Sequence, residues 1–215
     1  MGWYDGRAKM MKNVPLEELN LDAYTHVVAE SGPSILANGS VECGADCCGM
    51  RDGGLGEGLR NRTRAAGVKL QWLLSTEPDI ARLIRAADGA AQRAAFIASI
   101  VPAFERCGGD GVEFDWEGPN GNGEADTYTE FLIDLQVAAG ASRDISADVQ
   151  GSLASGGVPY VTANFTTPNG HTLAQAAELG LFINVMSYFW SSSGDISEYV
   201  AVAQGYRAFG FDLGM

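Results

Sequence analysis

Two periods of hydrophobicity alternate along the chain, one of about two residues and one between three and four. Short apolar runs rich in β-branched and aromatic residues, bounded by Gly, Pro, Asn and Ser, predict strands at residues 24–31, 68–75, 110–117, 145–150 and 181–188. Between them, apolar positions recurring at three and four residues predict helices at residues 16–20, 60–66, 79–87, 92–106, 127–138, 173–179 and 196–209. In helix 92–106, Ile97, Ile100 and Phe104 share a face, and Pro102, which lacks a donor and crowds the preceding turn, is expected to kink or split it. In helix 127–138, Tyr128, Phe131, Leu132 and Leu135 form the apolar stripe. Residues 32–58 read as a long loop. Strand and helix alternate without an intervening linker, so a single domain over residues 1–215 is expected. The nearly continuous apolar run at 181–188 is the pattern of a parallel strand covered on both faces. A doubly wound sheet and a (β/α)8 barrel both fit, and both put sites at strand C-terminal ends, where Ser75, Glu117, Gln150 and Tyr188 fall. A nucleotide-binding version is disfavoured, because Gly53-Gly54-Leu55-Gly56-Glu57-Gly58 has neither the phosphate-loop spacing nor a following Lys.

The segment Asp110-Gly111-Val112-Glu113-Phe114-Asp115-Trp116-Glu117 breaks the apolar rule of a buried strand. Alternation puts Glu113, Asp115 and Glu117 on one face and Val112, Phe114 and Trp116 on the other. Acidic runs are more often solvated faces, but large hydrophobes between the acids require a packed layer on one side. Gly118-Pro119-Asn120-Gly121-Asn122-Gly123 then ends the strand in a loop. Carboxylates on one strand face lie roughly 7 Å apart, so each charge favours a proton on the next. A proton held beside a carboxylate is what glycosidic bond cleavage requires.

Charge narrows the partners. A formal net charge of -13 over 215 residues leaves no basic footprint for nucleic acid or an anionic membrane, and favours a neutral substrate. No stretch reaches the roughly 18 to 20 apolar residues of a membrane span, and the start carries no basic and then apolar leader. Three short patterns, at Asn38-Gly39-Ser40, Asn61-Arg62-Thr63 and Asn164-Phe165-Thr166, match the acceptor sequence for N-linked glycans. Cys43, Cys47 and Cys48 crowd a Gly-rich segment far from Cys107, so one or two disulfides, free thiols and a metal site all stay open. His26 and His171 are not at ligand spacing, and no metal or other cofactor is expected.

With these residues in place, the chain resembles glycoside hydrolase family 18, the chitinases, chitobiases and chitinase-like lectins. The family signature, Asp-Gly-x-Asp-x-Asp-x-Glu on the fourth barrel strand, is met by Asp110 to Glu117 at every position except Glu113. Met186-Ser187-Tyr188-Phe189 resembles the family's Met-x-Tyr-Asp on the sixth strand, and Tyr24-Thr25-His26-Val27 its second strand. The resemblance implies a TIM-type barrel, incomplete here at about six strands, and hydrolysis of β-1,4-linked N-acetylglucosamine in chitin, chitooligosaccharides or N-glycan cores. It implies that Glu117 is the general acid and base, that Asp115 orients the substrate's acetamide as internal nucleophile, and that Tyr188 donates to that acetamide. The residues expected against the sugar are Glu113, Met186, Trp190 and Tyr4. Three departures touch the pocket: Glu113 for Asp or Asn, Phe189 for Asp, and Ser75-Thr76-Glu77-Pro78 for Ser-x-Gly-Gly. They make a non-catalytic chitin- or oligosaccharide-binding lectin, or a degenerate inactive family member, the alternative function. Two further expectations are that the chain is part of a longer protein and that the parent is extracellular or lysosomal/vacuolar.

Overall fold

The computed structural model describes residues 2–4, 18–29, 33–36, 38–42, 55–74, 89–115, 124–150, 166–186, 200, 204 and 213–214. Their contacts divide the chain into two compact units, Met1–Leu74 with Ala98–Glu113, and Ser75–Ile97 with Phe114–Met215.

The first unit is built on parallel strands. β1 (Gly2–Tyr4) pairs with β2 (His26–Ala29), Tyr4 opposite Ala29. A two-stranded antiparallel hairpin follows, β3 (Ser34–Ile35) and β4 (Val41–Glu42), and then α1 (Leu55–Ala66). β5 (Lys69–Leu74) pairs in parallel with β2, His26 opposite Lys69. From Leu70 to Leu74 every residue of β5 is buried, as expected where layers cover both faces of a parallel sheet. α2 (Gly89–Arg106) leads to β6 (Gly111–Phe114), the neighbour of β5. Phe114, the last residue of β6, belongs to the second unit.

The second unit contains α3 (Glu124–Ala139), β7 (Asp144–Gln150), α4 (Leu173–Glu178), β8 (Phe182–Met186) and β9 (Leu213–Gly214). β7 and β8 pair in parallel from Ser146 opposite Phe182 to Gln150 opposite Met186, and β9 continues the parallel sheet beyond β8. The Phe131 side chain of α3 is the centre of its core. It stacks on Phe96 at 5.4 Å between ring centroids, meets Phe114 edge-on at 5.2 Å and lies parallel to Tyr128 at 6.4 Å. These offset-parallel and edge-to-face geometries suit the negative face and positive edge of each ring.

Several sequence expectations shift. Of the expected helix 16–20, Glu18 is in a 3-10 turn, Leu19 and Asn20 are irregular, and residues 16 and 17 lie outside the described residues. The long loop 32–58 contains the β3–β4 hairpin and the first turn of α1. α2 passes through Pro102 as one helix and is not split. The carbonyl that Pro102 leaves without a donor is that of Ala98, an exposed residue at which water can replace the lost bond. Of the expected helix 196–209, Val200 and Gln204 are helical and the rest lies outside the described residues, as does helix 79–87. β1 and β9, three and two residues long, are too short for any period to reveal.

Candidate active site

The approach to the acidic motif is set one bond at a time. α2 ends with the Gly108 amide on the Glu105 carbonyl at 2.9 Å and the Gly109 amide on the Phe104 carbonyl at 3.0 Å. This paired closure needs a left-handed residue at the turn, and Gly108 supplies it at φ 69°. The same two-bond closure ends α1, through Gly67 and Val68, and α4, through Gly180 and Leu181, so each helix turns directly into the next strand. Gly109 is constrained by space. A Cβ there would lie 2.5 Å from Trp72 Cδ1 and 2.7 Å from its Nε1. Trp72 is 1% exposed and serves the core, as its position in the apolar run predicts.

Asp110, the first acid of the motif, grips the neighbouring strand. Its amide donates to the Leu70 carbonyl at 2.7 Å, and its Oδ2 accepts from the Leu70 amide at 2.8 Å. One residue thus satisfies both backbone groups of Leu70 where pairing of β5 with β6 begins, a role the sequence pattern did not reveal.

The strand that follows differs from the expected one-sided wall. β6 ends at Phe114, and Val112, Glu113 and Phe114 are all buried, at 1%, 0% and 0% exposure. Both faces are covered, as in a parallel sheet with packed layers on each side, so Glu113 is an interior acid, and it has an interaction partner. Asp115 lies one residue beyond the strand, is half-buried, and also has an interaction partner. Phe114, clamped edge-on against Phe131, fixes the backbone from which Asp115 departs.

The other expected site residues fall as follows. Tyr4 is the last residue of β1 and Met186 the last of β8, paired with Gln150 at the end of β7. Each therefore stands at a strand C-terminal end, where sites form in α/β folds. Glu117, Tyr188 and Trp190 lie outside the described residues, as do Phe189 and residues 75–78.

A second polar cluster was not foreseen. Asp134 of α3, 6% exposed, accepts from Thr167 Oγ1 at 3.1 Å and Asn169 Nδ2 at 2.8 Å, and meets His171 Nδ1 at 2.8 Å. These residues lead into the Thr172 capping box of α4. Gln136, fully buried, directs its amide group to the carbonyls of Gly140, Arg143 and Leu179 at 3.1 to 3.2 Å. Both clusters join helix ends to loops. His26 bonds to Thr25, and among the described residues no group of three His, Cys, Asp or Glu could hold a metal ion. Cys107, fully buried at the end of α2, is disulfide-bonded. Cys43, Cys47 and Cys48 lie outside the described residues. Among those described, no helix is long and apolar enough to cross a membrane.

Parallel strands alternating with helices, with Asp115 just past the C-terminal end of β6, are the pattern of an α/β fold that places its site at strand ends. Residues 3–203 match the model of the glycosyl hydrolases family 18, and the chain belongs to that family. No curated protein sequence matches it. Among solved structures it is similar to catalytic domain 2 of the Group II chitinase of Ostrinia furnacalis, with 16% identity and a TM-score of 0.66 over 98% of this chain and 61% of that one. A mutant of that domain in complex with penta-N-acetylchitooctaose is equally similar. The C-terminal domain of a chitinase-type protein of Desulfitobacterium hafniense matches at 17% identity and a TM-score of 0.63, over 100% of this chain and 65% of that one. The fold is thus that of an incomplete TIM-type barrel, and the chain spans 61% to 65% of the length of these relatives.

Proposed function

We propose that the chain is the catalytic part of a chitinase-like hydrolase that cleaves β-1,4-linked N-acetylglucosamine with retention of configuration. The observation that carries this reading is the acidic motif from Asp110 to Glu117 in a family 18 barrel, with Asp115 leaving the end of a buried strand. In the proposed reaction Glu117 protonates the glycosidic oxygen while the substrate's own acetamide oxygen attacks the anomeric carbon. Asp115 orients that acetamide and offsets the positive charge of the oxazolinium intermediate, and Tyr188 donates a hydrogen bond to it. Glu117, now a carboxylate, takes a proton from the water that opens the ring. Glu113 holds Asp115 from the interior, and Tyr4, Met186 and Trp190 line the sugar. The N-acetylglucosamine oligomer carried by the mutant Ostrinia domain supports this substrate class.

The test uses a chromogenic chitobioside, an N-glycan core substrate and chitin beads. Glu117→Gln should lower product release by at least a hundredfold, the scale of a lost general acid, while retention on chitin persists. Turnover equal to the parent sinks the assignment of Glu117. Binding to beads without turnover by the parent chain identifies a lectin instead.

A further inference from the structure

We propose that Asn38 is an N-glycosylation site: the acceptor of an oligosaccharide transferred from a lipid pyrophosphate donor in an oxidising secretory compartment. Of the three acceptor patterns in the chain, Asn38-Gly39-Ser40 has an exposed acceptor and a hydroxyl already directed to it. Asn38 sits at the tip of the β3–β4 hairpin. Its Oδ1 accepts from the Ser40 amide at 3.0 Å and from Ser40 Oγ at 2.8 Å. The Ser40 hydroxyl therefore touches the side-chain amide oxygen of the acceptor, in the surface-loop setting that the Asn-x-Ser pattern requires. With Oδ1 so occupied, Nδ2 is turned away, and among the described residues nothing bonds it. The tip is held from both sides, by the Gly39 amide on the Leu36 carbonyl and the Leu36 amide on the Ser40 carbonyl, each 2.8 Å, with Gly39 at φ 82°. Below it, the Val41 amide donates to Ser99 Oγ of α2 at 3.0 Å.

Asn61-Arg62-Thr63 is a contrast within the same fold. Asn61 is exposed, but it lies inside α1, and Thr63 is 2% exposed with its hydroxyl given to the Arg60 carbonyl at 3.1 Å. That hydroxyl is not available to Asn61. Asn164 lies outside the described residues. The disulfide at Cys107 is an independent sign of the compartment, since such bonds persist where thiols are not kept reduced, the route on which N-glycans are added.

In the transfer, Nδ2 of Asn38 attacks C1 of the first sugar. The C1–O bond to the pyrophosphate breaks, the lipid pyrophosphate leaves with the bonding pair, and an Nδ2 proton passes to a base of the transferase. To test this, the whole chain is translated behind a cleavable secretory leader with eukaryotic microsomes, which score transfer whether or not the product folds. Peptide-N-glycosidase in heavy-oxygen water then converts each occupied Asn to labelled Asp, read by mass spectrometry. Label is expected at Asn38, lost on Ser40→Ala and kept on Ser40→Thr, and Asn38→Gln should remove one glycan step on a gel. An unlabelled Asn38, or equal label in Ser40→Ala, overturns the site.

Discussion

Asp110 and Glu113 both belong to the acidic motif, and they act differently. Asp110 is a backbone clamp: it satisfies the amide and carbonyl of Leu70 from one side. Glu113 is an interior acid, 0% exposed and with an interaction partner. Gly109, between the helix end and the clamp, is fixed by the indole of Trp72. The ring is in the core and cannot swing away, so Gly109→Ala should destabilise the chain by about 1 to 3 kcal/mol, the usual cost of overpacking. Urea denaturation checks this, and an unchanged midpoint would mean that Trp72 moves freely. At the chemical end of the motif, Glu117→Gln is expected to remove turnover of the chitobioside and keep retention on chitin.

Helix ends decide how the elements join. α1, α2 and α4 each close on a paired backbone bond and pass into a strand within a few residues, so strand position follows from where the helix stops. α3 contributes the packing centre. Phe131 touches Phe96, Phe114 and Tyr128, and Phe114 is the residue before Asp115. Phe131→Ala should cost about 3 to 5 kcal/mol by opening a cavity at a fully buried ring. Phe131→Leu keeps much of the volume and should cost less in thermal unfolding. If the ring also steadies Asp115, the Leu variant will lose kcat on the chitobioside more than it loses stability, whereas parallel losses would confine Phe131 to the core.

At the scale of the whole molecule, the disulfide at Cys107 pins the end of the α2 helix. Typical disulfides contribute about 2 to 4 kcal/mol, so a reductant should lower the thermal midpoint by several degrees, and Cys107→Ser should show the same midpoint with or without reductant. A midpoint insensitive to reductant in the parent would show that the bond adds no stability. The sequence by itself determined the order of the longer described elements, β2, α1, β5, α2, β6, α3, β7, α4 and β8, because period and apolar runs depend only on neighbours along the chain. It also determined the family resemblance, because Asp110 to Glu117 is a contiguous motif and survives in any reading of the sequence. Tertiary structure decided the rest. Whether Glu113 faces a wall or the interior depends on layers from remote segments, and both faces of β6 are covered. The role of Asp110 depends on Leu70, forty residues earlier, and that of Asp134 on a loop more than thirty residues later. Such partners leave no period to read, since a hydrogen bond across a fold is set by which segments meet and not by the spacing of either one.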